Sequence, residues 1–287
     1  MSYNIFMKIA LVLQGGGARG IFTSGILDEL LLANIKIDKI FAVSAGALNT
    51  MNYLSRQFGR NHKAACLTFK SRDFVSIKNV ITKRTFVDFN YYFNKLNEEL
   101  PFDNNKYNTN PCKFCAVATS LTTGRARYFN KDEIDDFDQC IKASASLPLV
   151  SKIVKINNDF YLDGGDSDPV PYKKAIDEGY DKIIVITTRQ LSFRKPINQP
   201  LRNLRLLHLA YNYNYPNYYN ALKNSHINYN QEFDELTKLK DKVFIFEPKE
   251  DIDLKHLETN NDKLDYYYEM GREVFRANKE KLAKYLS

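Results

Sequence analysis

Apolar residues gather along this chain in short unbroken runs separated by small and polar punctuation. Lys8-Ile9-Ala10-Leu11-Val12-Leu13 is the first such run and Lys39-Ile40-Phe41-Ala42-Val43 the second. Runs of this length without alternation suit strands buried on both faces of a parallel sheet. Between them, Ile21, Ile26, Leu27, Leu30 and Leu31 follow a helical spacing. After Ser44 a small-residue helix opens with Ala45-Gly46-Ala47-Leu48-Asn49. The unit is strand, glycine loop, helix, strand, turn, helix, which predicts a right-handed crossover and an α/β sheet.

Further strands are expected at Phe114 to Ala118, Arg127 to Phe129, Tyr161-Leu162, Lys182 to Thr187 and Val243 to Phe246. Helices fit residues 133–143, 171–178, 203–239 with a break near Pro216, and 262–285. Residues 55–110 are polar, aromatic and less patterned, and read as helices and loops laid over the sheet. The stretch Tyr211 to Asn220 reads as a turn between two helices rather than a lid surface, because Pro216 breaks the pattern. A lid, if the fold has one, is expected within 70–108 or 190–220. No repeat and no clear linker divides the chain, so residues 1–287 are expected to form one α/β domain: a mostly parallel central sheet flanked by helices.

Composition changes this picture little. The chain has 287 residues, 44% of them hydrophobic, enough for one substantial core. The net charge of +7 is spread among acidic residues and forms no basic block, so a nucleic-acid partner is not expected. No run approaches a membrane span and no secretory pattern opens the chain. A cytoplasmic location is expected, with peripheral membrane contact left open. Cys66, Cys112, Cys115 and Cys140 are too sparse for a disulfide framework and read as free thiols. Cys112 and Cys115 form a lone C-x-x-C with no second pair to complete a zinc set, and Cys115 lies in a strand as a small core residue. No metal is expected.

Ala42-Val43-Ser44-Ala45-Gly46 lies between a buried strand and a helix. This is the context of a nucleophile elbow, in which the residues two before and two after the serine pass close together and must be small. Gly46 satisfies this; Ala42 brings one extra methyl. Upstream, Gly15, Gly17 and Gly20 match G-x-G-x-x-G directly after a strand. Dinucleotide binding, an oxyanion hole and a plain tight turn all use such a loop. A dinucleotide site wants an acid at the end of the second strand; here that strand ends at Val43-Ser44, and Asp38 lies at its opposite end. No Gly-Lys-Ser/Thr follows to make a phosphate loop. The loop and Ser44 fall at the same sheet edge, so a carbonyl attacked by Ser44 can point its oxygen at the loop amides. Arg19 either holds this loop or is a solvated helix-end charge.

A serine nucleophile needs a base. His62, His208, His226 and His256 lie in helical or charged stretches without loop punctuation. Asp163, in Tyr161-Leu162-Asp163-Gly164-Gly165-Asp166, is carried by a strand into a glycine turn. A free Asp is a weak base, and burial would strengthen it. Asp166 and Asp168 are nearby alternatives, and an Asp-Gly turn without chemistry is the plain reading.

Together these residues resemble the patatin-like phospholipase family. The likeness rests on Gly15-Gly16-Gly17-Ala18-Arg19-Gly20, Ala42-Val43-Ser44-Ala45-Gly46 and Asp163-Gly164-Gly165, with Ala118 to Gly124 and Lys142 to Pro148 between them. The part after Arg189 is similar to the C-terminal extension of bacterial members. The resemblance implies a three-layer α/β/α fold, with a catalytic core at about 7–190 and a mostly helical extension at about 191–287. It implies a Ser44–Asp163 dyad, an oxyanion hole from Gly15, Gly16, Gly17, Ala18, Arg19 and Gly20, and support from Ala42, Gly46, Gly164 and Gly165. The implied reaction is hydrolysis of lipid acyl esters through an acyl-enzyme, without metal or organic cofactor; oligomeric state is left open. Ala42 departs from the family's usual glycine. Two other readings stand beside this one: a nucleotide-binding protein, and a non-catalytic scaffold on the same fold.

Overall fold

The computed structural model describes residues 7–83, 85–196, 201–239 and 242–287. The first apolar runs form β1 (Ile9–Leu13) and β2 (Lys39–Val43), joined by the helix α1 (Gly20–Leu32) and paired parallel. Helices α2 (Ala45–Leu54), α3 (Arg60–Lys70), α4 (Ile77–Lys83), α5 (Leu96–Glu99) and α6 (Asn104–Thr109) fill the aromatic stretch. Then come β3 (Lys113–Ser120), β4 (Ala126–Asn130), α7 (Phe137–Ala145), β5 (Val154–Ile156), β6 (Asp159–Asp163), α8 (Tyr172–Asp177) and β7 (Lys182–Ile186). The chain closes with α9 (Leu201–Leu207), α10 (Pro216–Lys238), β8 (Phe244–Phe246) and α11 (Asn261–Leu286).

One sheet of eight strands runs β5-β6-β3-β2-β1-β7-β8, with β4 also on β3. The pairings among β3, β2, β1, β7 and β8 are parallel, and those that bring in β4, β5 and β6 are antiparallel. Alternate residues of the central strands enter two cores. Leu11, Leu13, Ile40, Ala42, Ile184 and Ile186 face α1, α2, α7 and α11. Ala10, Val12, Phe41, Ile183 and Val185 face α8 and α10. The expected three layers are thus present, each strand apolar on both sides because both sides are covered.

The differences from the sequence reading are local. The helix expected from 133 starts at Phe137, after a short 3-10 turn at Lys131–Glu133. The strand β5 is three residues long, too short to leave a pattern. Pro216 does break the long C-terminal helical region, sitting in the first turn of α10, where its missing N–H costs nothing. Of the stretches considered for a lid, residues 84 and 197–200 lie outside those described. All four cysteines are free, and Cys115 is buried in β3.

The C-terminal helix is fastened to the first. Gly25 of α1 and Gly271 of α11 face each other so closely that a methyl on either would strike backbone of the other helix. Glu29 takes Arg272 at 2.9 Å and Arg276 at 2.7 Å, and the Tyr268 hydroxyl donates to Asp28 at 2.6 Å. Among the described residues no helix is long and apolar enough to cross a membrane.

Candidate functional site

Strand register brings Ser44 and Asp163 together. Val43, the last residue of β2, lies opposite Val117 of β3. Asp163, the last residue of β6, lies opposite Ala118. Because β4 occupies the other edge of β3 along Cys115 to Thr119, β2 and β6 must share one edge and meet end to end. The chain leaving β2 and the chain leaving β6 therefore turn at the same point.

Ser44 makes its turn with φ 55° and ψ −122°, a backbone region that disfavours side chains. The surroundings hold it there. Its N–H donates to Ser144 Oγ at 2.9 Å, and its carbonyl accepts from Ala47 and Leu48 in the first turn of α2. Its Oγ donates to Asp163 Oδ2 at 2.7 Å, and Asp163 Oδ1 accepts from the Gly165 N–H at 2.8 Å. The Asp163 backbone is held by the Ser146 carbonyl at 2.8 Å and the Thr119 hydroxyl at 2.7 Å. A methyl on Gly46 would lie 2.9 Å from Leu13, and one on Gly164 would strike the Val117 carbonyl. Ala42 is fully buried beside Leu13 and Ala116, so the strand accommodates the methyl that the family's glycine lacks.

The glycine loop lies across Ser44: a methyl on Gly15 would stand 2.9 Å from Ser44 Cβ. Its outer half is occupied with structure. The Ala18 N–H donates to the His256 carbonyl at 2.9 Å, the Arg19 N–H to the Gly16 carbonyl at 3.2 Å, and the Gly20 N–H back into the loop. The N–H groups of Gly15, Gly16 and Gly17 have no acceptor among the described residues. Thr188 supports the near half, its hydroxyl donating to the Gly15 carbonyl at 2.7 Å and its N–H to Gln14 Oε1 at 2.7 Å.

Ser44 and Asp163 open into a cavity of about 330 Å³. Gly15, Gly16 and Arg19 border it from the loop, and Gly165 and Asp166 from the turn after β6. Arg189, Lys195, Tyr229 and His256 close it from the C-terminal part. Burial pushes the Asp163 carboxyl up from 3.8 to about 6, only partly offset by the Ser44 hydroxyl, the Gly165 amide and the Lys195 charge. Burial and the Asp163 charge push Asp166 up to about 7, though the Tyr218 hydroxyl donates to it at 2.7 Å. Desolvation lowers Lys195, with Arg19 and Arg189 adding repulsion and the two carboxylates pulling the other way. Burial, then Arg19 and Lys195, push His256 down to about 4.

Sequence reasoning did not find Lys195, Arg189, Tyr229 or the cavity role of His256. Arg189 and Lys195 come from the loop after β7, Tyr229 from α10 and His256 from the segment before α11, and no local motif marks them. Tyr218 lies within the tyrosine-rich stretch read as a turn; it is in α10, buried, and reaches Asp166. Among the described residues one group could gather a metal ion: His62, Cys66 and Asp265, with ligand atoms within 4.8 Å of one another. It lies outside the cavity walls, and His62 and Asp265 are already hydrogen-bonded at 2.6 Å.

The family model for patatin-like phospholipase matches residues 11–176, more than half of the chain. The chain belongs to the patatin-like phospholipase family. A second family model, a domain of unknown function (DUF6363), matches residues 215–287. Among curated proteins, the uncharacterized protein YjjU of Escherichia coli K12 is 30% identical over 192 residues, 63% of this chain and 52% of that protein. The chain thus spans about half the length of the curated relative it matches. Among solved structures, VipD from Legionella pneumophila aligns with a TM-score of 0.44 and 13% identity, covering 94% of this chain and 67% of that one. The matched patatin-like segment contains the glycine loop, Ser44 and Asp163; Lys195, Tyr229 and His256 lie beyond it.

Proposed function

We propose that this patatin-like protein is a serine acyl hydrolase of lipid-like esters, with Ser44 as nucleophile and Asp163 as its base. The observation that carries the reading is the 2.7 Å hydrogen bond from Ser44 Oγ to Asp163 Oδ2 beneath the cavity. A carboxyl raised to about 6 is mostly ionised at neutral pH yet a stronger base than free aspartate. In the first step the Ser44 Oγ attacks the ester carbonyl carbon and its proton passes to Asp163. The carbonyl oxygen becomes an oxyanion and takes hydrogen bonds from loop amides. Of the six loop positions, Gly15, Gly16 and Gly17 have amides available for this; Ala18, Arg19 and Gly20 act by holding the loop. Collapse breaks the ester bond, the alcohol leaves with the proton from Asp163, and the acyl group stays on Ser44. Water then adds to the acyl-enzyme, giving its proton to Asp163, which returns it to Ser44 as the acid leaves. His256, pushed down to about 4, is a poor base at neutral pH, and Ser44 Oγ is engaged by Asp163 instead.

Residues 1–287 are read as one folded unit, with a core at about 7–190 and an extension at about 191–287. Lys195, Tyr229 and His256 on the cavity wall support it. Leu206, Leu209 and Tyr213, exposed near α9, are the apolar residues proposed to meet a lipid surface. A fluorophosphonate probe and a short p-nitrophenyl ester test the chemistry. Wild type should label and turn over, while Ser44→Ala should do neither. Full esterase activity in Ser44→Ala would sink the reading.

A further inference from the structure

Three ligand-type side chains outside the Ser44 cavity converge on one point. His62 and Cys66 lie one turn apart on α3, and Asp265 reaches them from α11. The His62 Nε2 atom is 2.6 Å from Asp265 Oδ1 and 3.7 Å from Cys66 Sγ, and the three ligand atoms all lie within 4.8 Å of one another. Both neighbours therefore address the same ring nitrogen. That nitrogen either carries a proton or offers a lone pair. If Nε2 donates to Asp265 it cannot accept from the thiol, and if it accepts from the thiol it has nothing to give the carboxylate. One proton leaves one of the three groups unserved, whereas one cation serves all three. The ring is also held in place. Tyr268 of α11 stacks on it at 4.4 Å between ring centres. The Tyr268 hydroxyl donates to Asp28 Oδ2, and the same oxygen accepts from the Gly59 N–H, just ahead of α3, at 3.0 Å. A ring whose orientation is fixed by its surroundings is a preorganised ligand.

We propose that His62, Cys66 and Asp265 bind a zinc ion, with water as the fourth ligand, and that the ion ties α3 to α11. A ring nitrogen, a thiolate sulfur and a carboxylate oxygen are a zinc donor set, whereas calcium and magnesium take oxygen ligands. The i, i+4 spacing of His62 and Cys66 puts both on one face of their helix. Zinc bonds of about 2.0 Å to nitrogen or oxygen and about 2.3 Å to sulfur set tetrahedral edges of about 3.3–3.6 Å. The 3.7 Å nitrogen–sulfur separation already matches, and the 2.6 Å nitrogen–oxygen separation needs to open by less than about 1 Å. The Asp265 side chain is 54% exposed and that of His62 24%, so the carboxylate has room to move and the ion and its water reach the site from solvent. The thiol proton passes to solvent as the metal binds. Helix α3 belongs to the patatin-like segment and α11 to the segment matched by the domain of unknown function. The ion thus joins the two parts of the chain at a second point along α11, ahead of the Gly25–Gly271 and Glu29–Arg272 contacts.

The test uses the full chain after removal of metal with a chelator. By calorimetry zinc should bind at one ion per chain, and calcium and magnesium should not bind. Cobalt in place of zinc should show a thiolate-to-metal charge-transfer band. Cys66→Ser should lose that band and weaken zinc binding at least about ten-fold. Asp265→Asn, at an exposed position, should weaken zinc binding to a similar extent. Cys112→Ser, which removes the other partly exposed thiol, should change neither. Zinc should raise the melting temperature of wild type above its value in chelator and leave that of Cys66→Ser unmoved. In chelator all the variants should melt as wild type does, which separates loss of the site from loss of the fold. Absence of stoichiometric zinc binding, a cobalt band or zinc affinity unchanged in Cys66→Ser, or a wild-type melting temperature that zinc does not move overturns the proposal. Ser44→Ala should bind zinc as wild type does, so the outcome is independent of the hydrolase reading.

Discussion

Acidification should switch the reaction off well above the range of an ordinary aspartate. The proposed base, Asp163, is buried, and burial outweighs the hydrogen bonds from Ser44 and Gly165, placing its carboxyl at about 6 rather than 3.8. The attacking step needs the carboxylate, so kcat/KM should fall with pH along the acid limb of the free enzyme. At pH 5 a group of pKa about 6 is roughly one-tenth ionised, and at pH 7 roughly nine-tenths, a loss of about ten-fold. An aspartate at 3.8 would lose less than roughly a tenth of its activity over the same interval. Burial and the Asp163 charge also raise Asp166, but Ser44 is hydrogen-bonded to Asp163, so Asp166→Asn should leave an acid limb in place. The assay is initial-rate hydrolysis of an uncharged p-nitrophenyl ester from pH 4.5 to 8, with nitrophenol absorbance read at its isosbestic wavelength. A flat profile, or a limb below pH 5, refutes Asp163 as a buried base.

The same shift has a stability consequence of opposite sign. A carboxyl whose folded pKa is raised leaves the fold most favoured below the unfolded value of 3.8, and that advantage is lost as pH rises through about 6. At about 1.4 kcal/mol per pH unit, Asp163→Asn should stabilise the protein at pH 8 by on the order of 3 kcal/mol at most and much less at pH 4, read by thermal melting at both. Ser44→Gly should raise the melting temperature by relieving the positive φ, a strain on the order of 1–3 kcal/mol, whereas Ser44→Ala keeps that strain; both should lose turnover. Gly15→Ala should cut turnover at least ten-fold, because the added methyl falls 2.9 Å from Ser44 Cβ; an unchanged rate counts against loop and serine acting together. Gly271→Leu should lower the melting temperature by forcing α11 off α1, and retention of the wild-type melting curve would count against a single folded unit.

Much of the core was legible in the sequence because its signals are local. Short apolar runs bounded by turn signals suit strands covered on both faces, and β1, β2 and β7 are such strands. The glycine loop, the small-residue turn at Ser44 and the Asp-Gly-Gly turn are also local, and the register of β2 and β6 on β3 brings them together. What was not legible is what depends on distant packing. The short β5 has too few residues to show a period. The helix at Phe137 begins later than apolar spacing suggested, because Lys131–Glu133 turns first. The loop carrying Arg189 and Lys195, the helix carrying Tyr229 and the segment carrying His256 share no spacing, and only the fold collects them. His256 illustrates the limit: its surroundings in sequence are charged and ordinary, yet its carbonyl receives the Ala18 N–H and its ring stands against Gly17.

That contact changes how the two parts of the chain relate. The patatin-like segment carries Ser44, Asp163 and the glycine loop, but the loop's far half is tied to His256, which lies after that segment. Thr188, also beyond it, anchors the near half through the Gly15 carbonyl, and the Tyr267 hydroxyl of α11 donates to the Thr188 carbonyl at 3.3 Å. The geometry of the proposed oxyanion donors therefore depends on β7, on the segment before α11, and on α11 itself. Packing of α11 on α1 through Gly25 and Gly271 bears on the reaction as well as on stability. Amides preorganised for a developing charge lose their effect when displaced by fractions of an ångström. A C-terminal part that merely capped the core would have no reason to hold the loop at Ala18 through the His256 carbonyl. One that also places Lys195 beside the Ser44 cavity is better understood as part of the candidate site, holding the loop with its backbone.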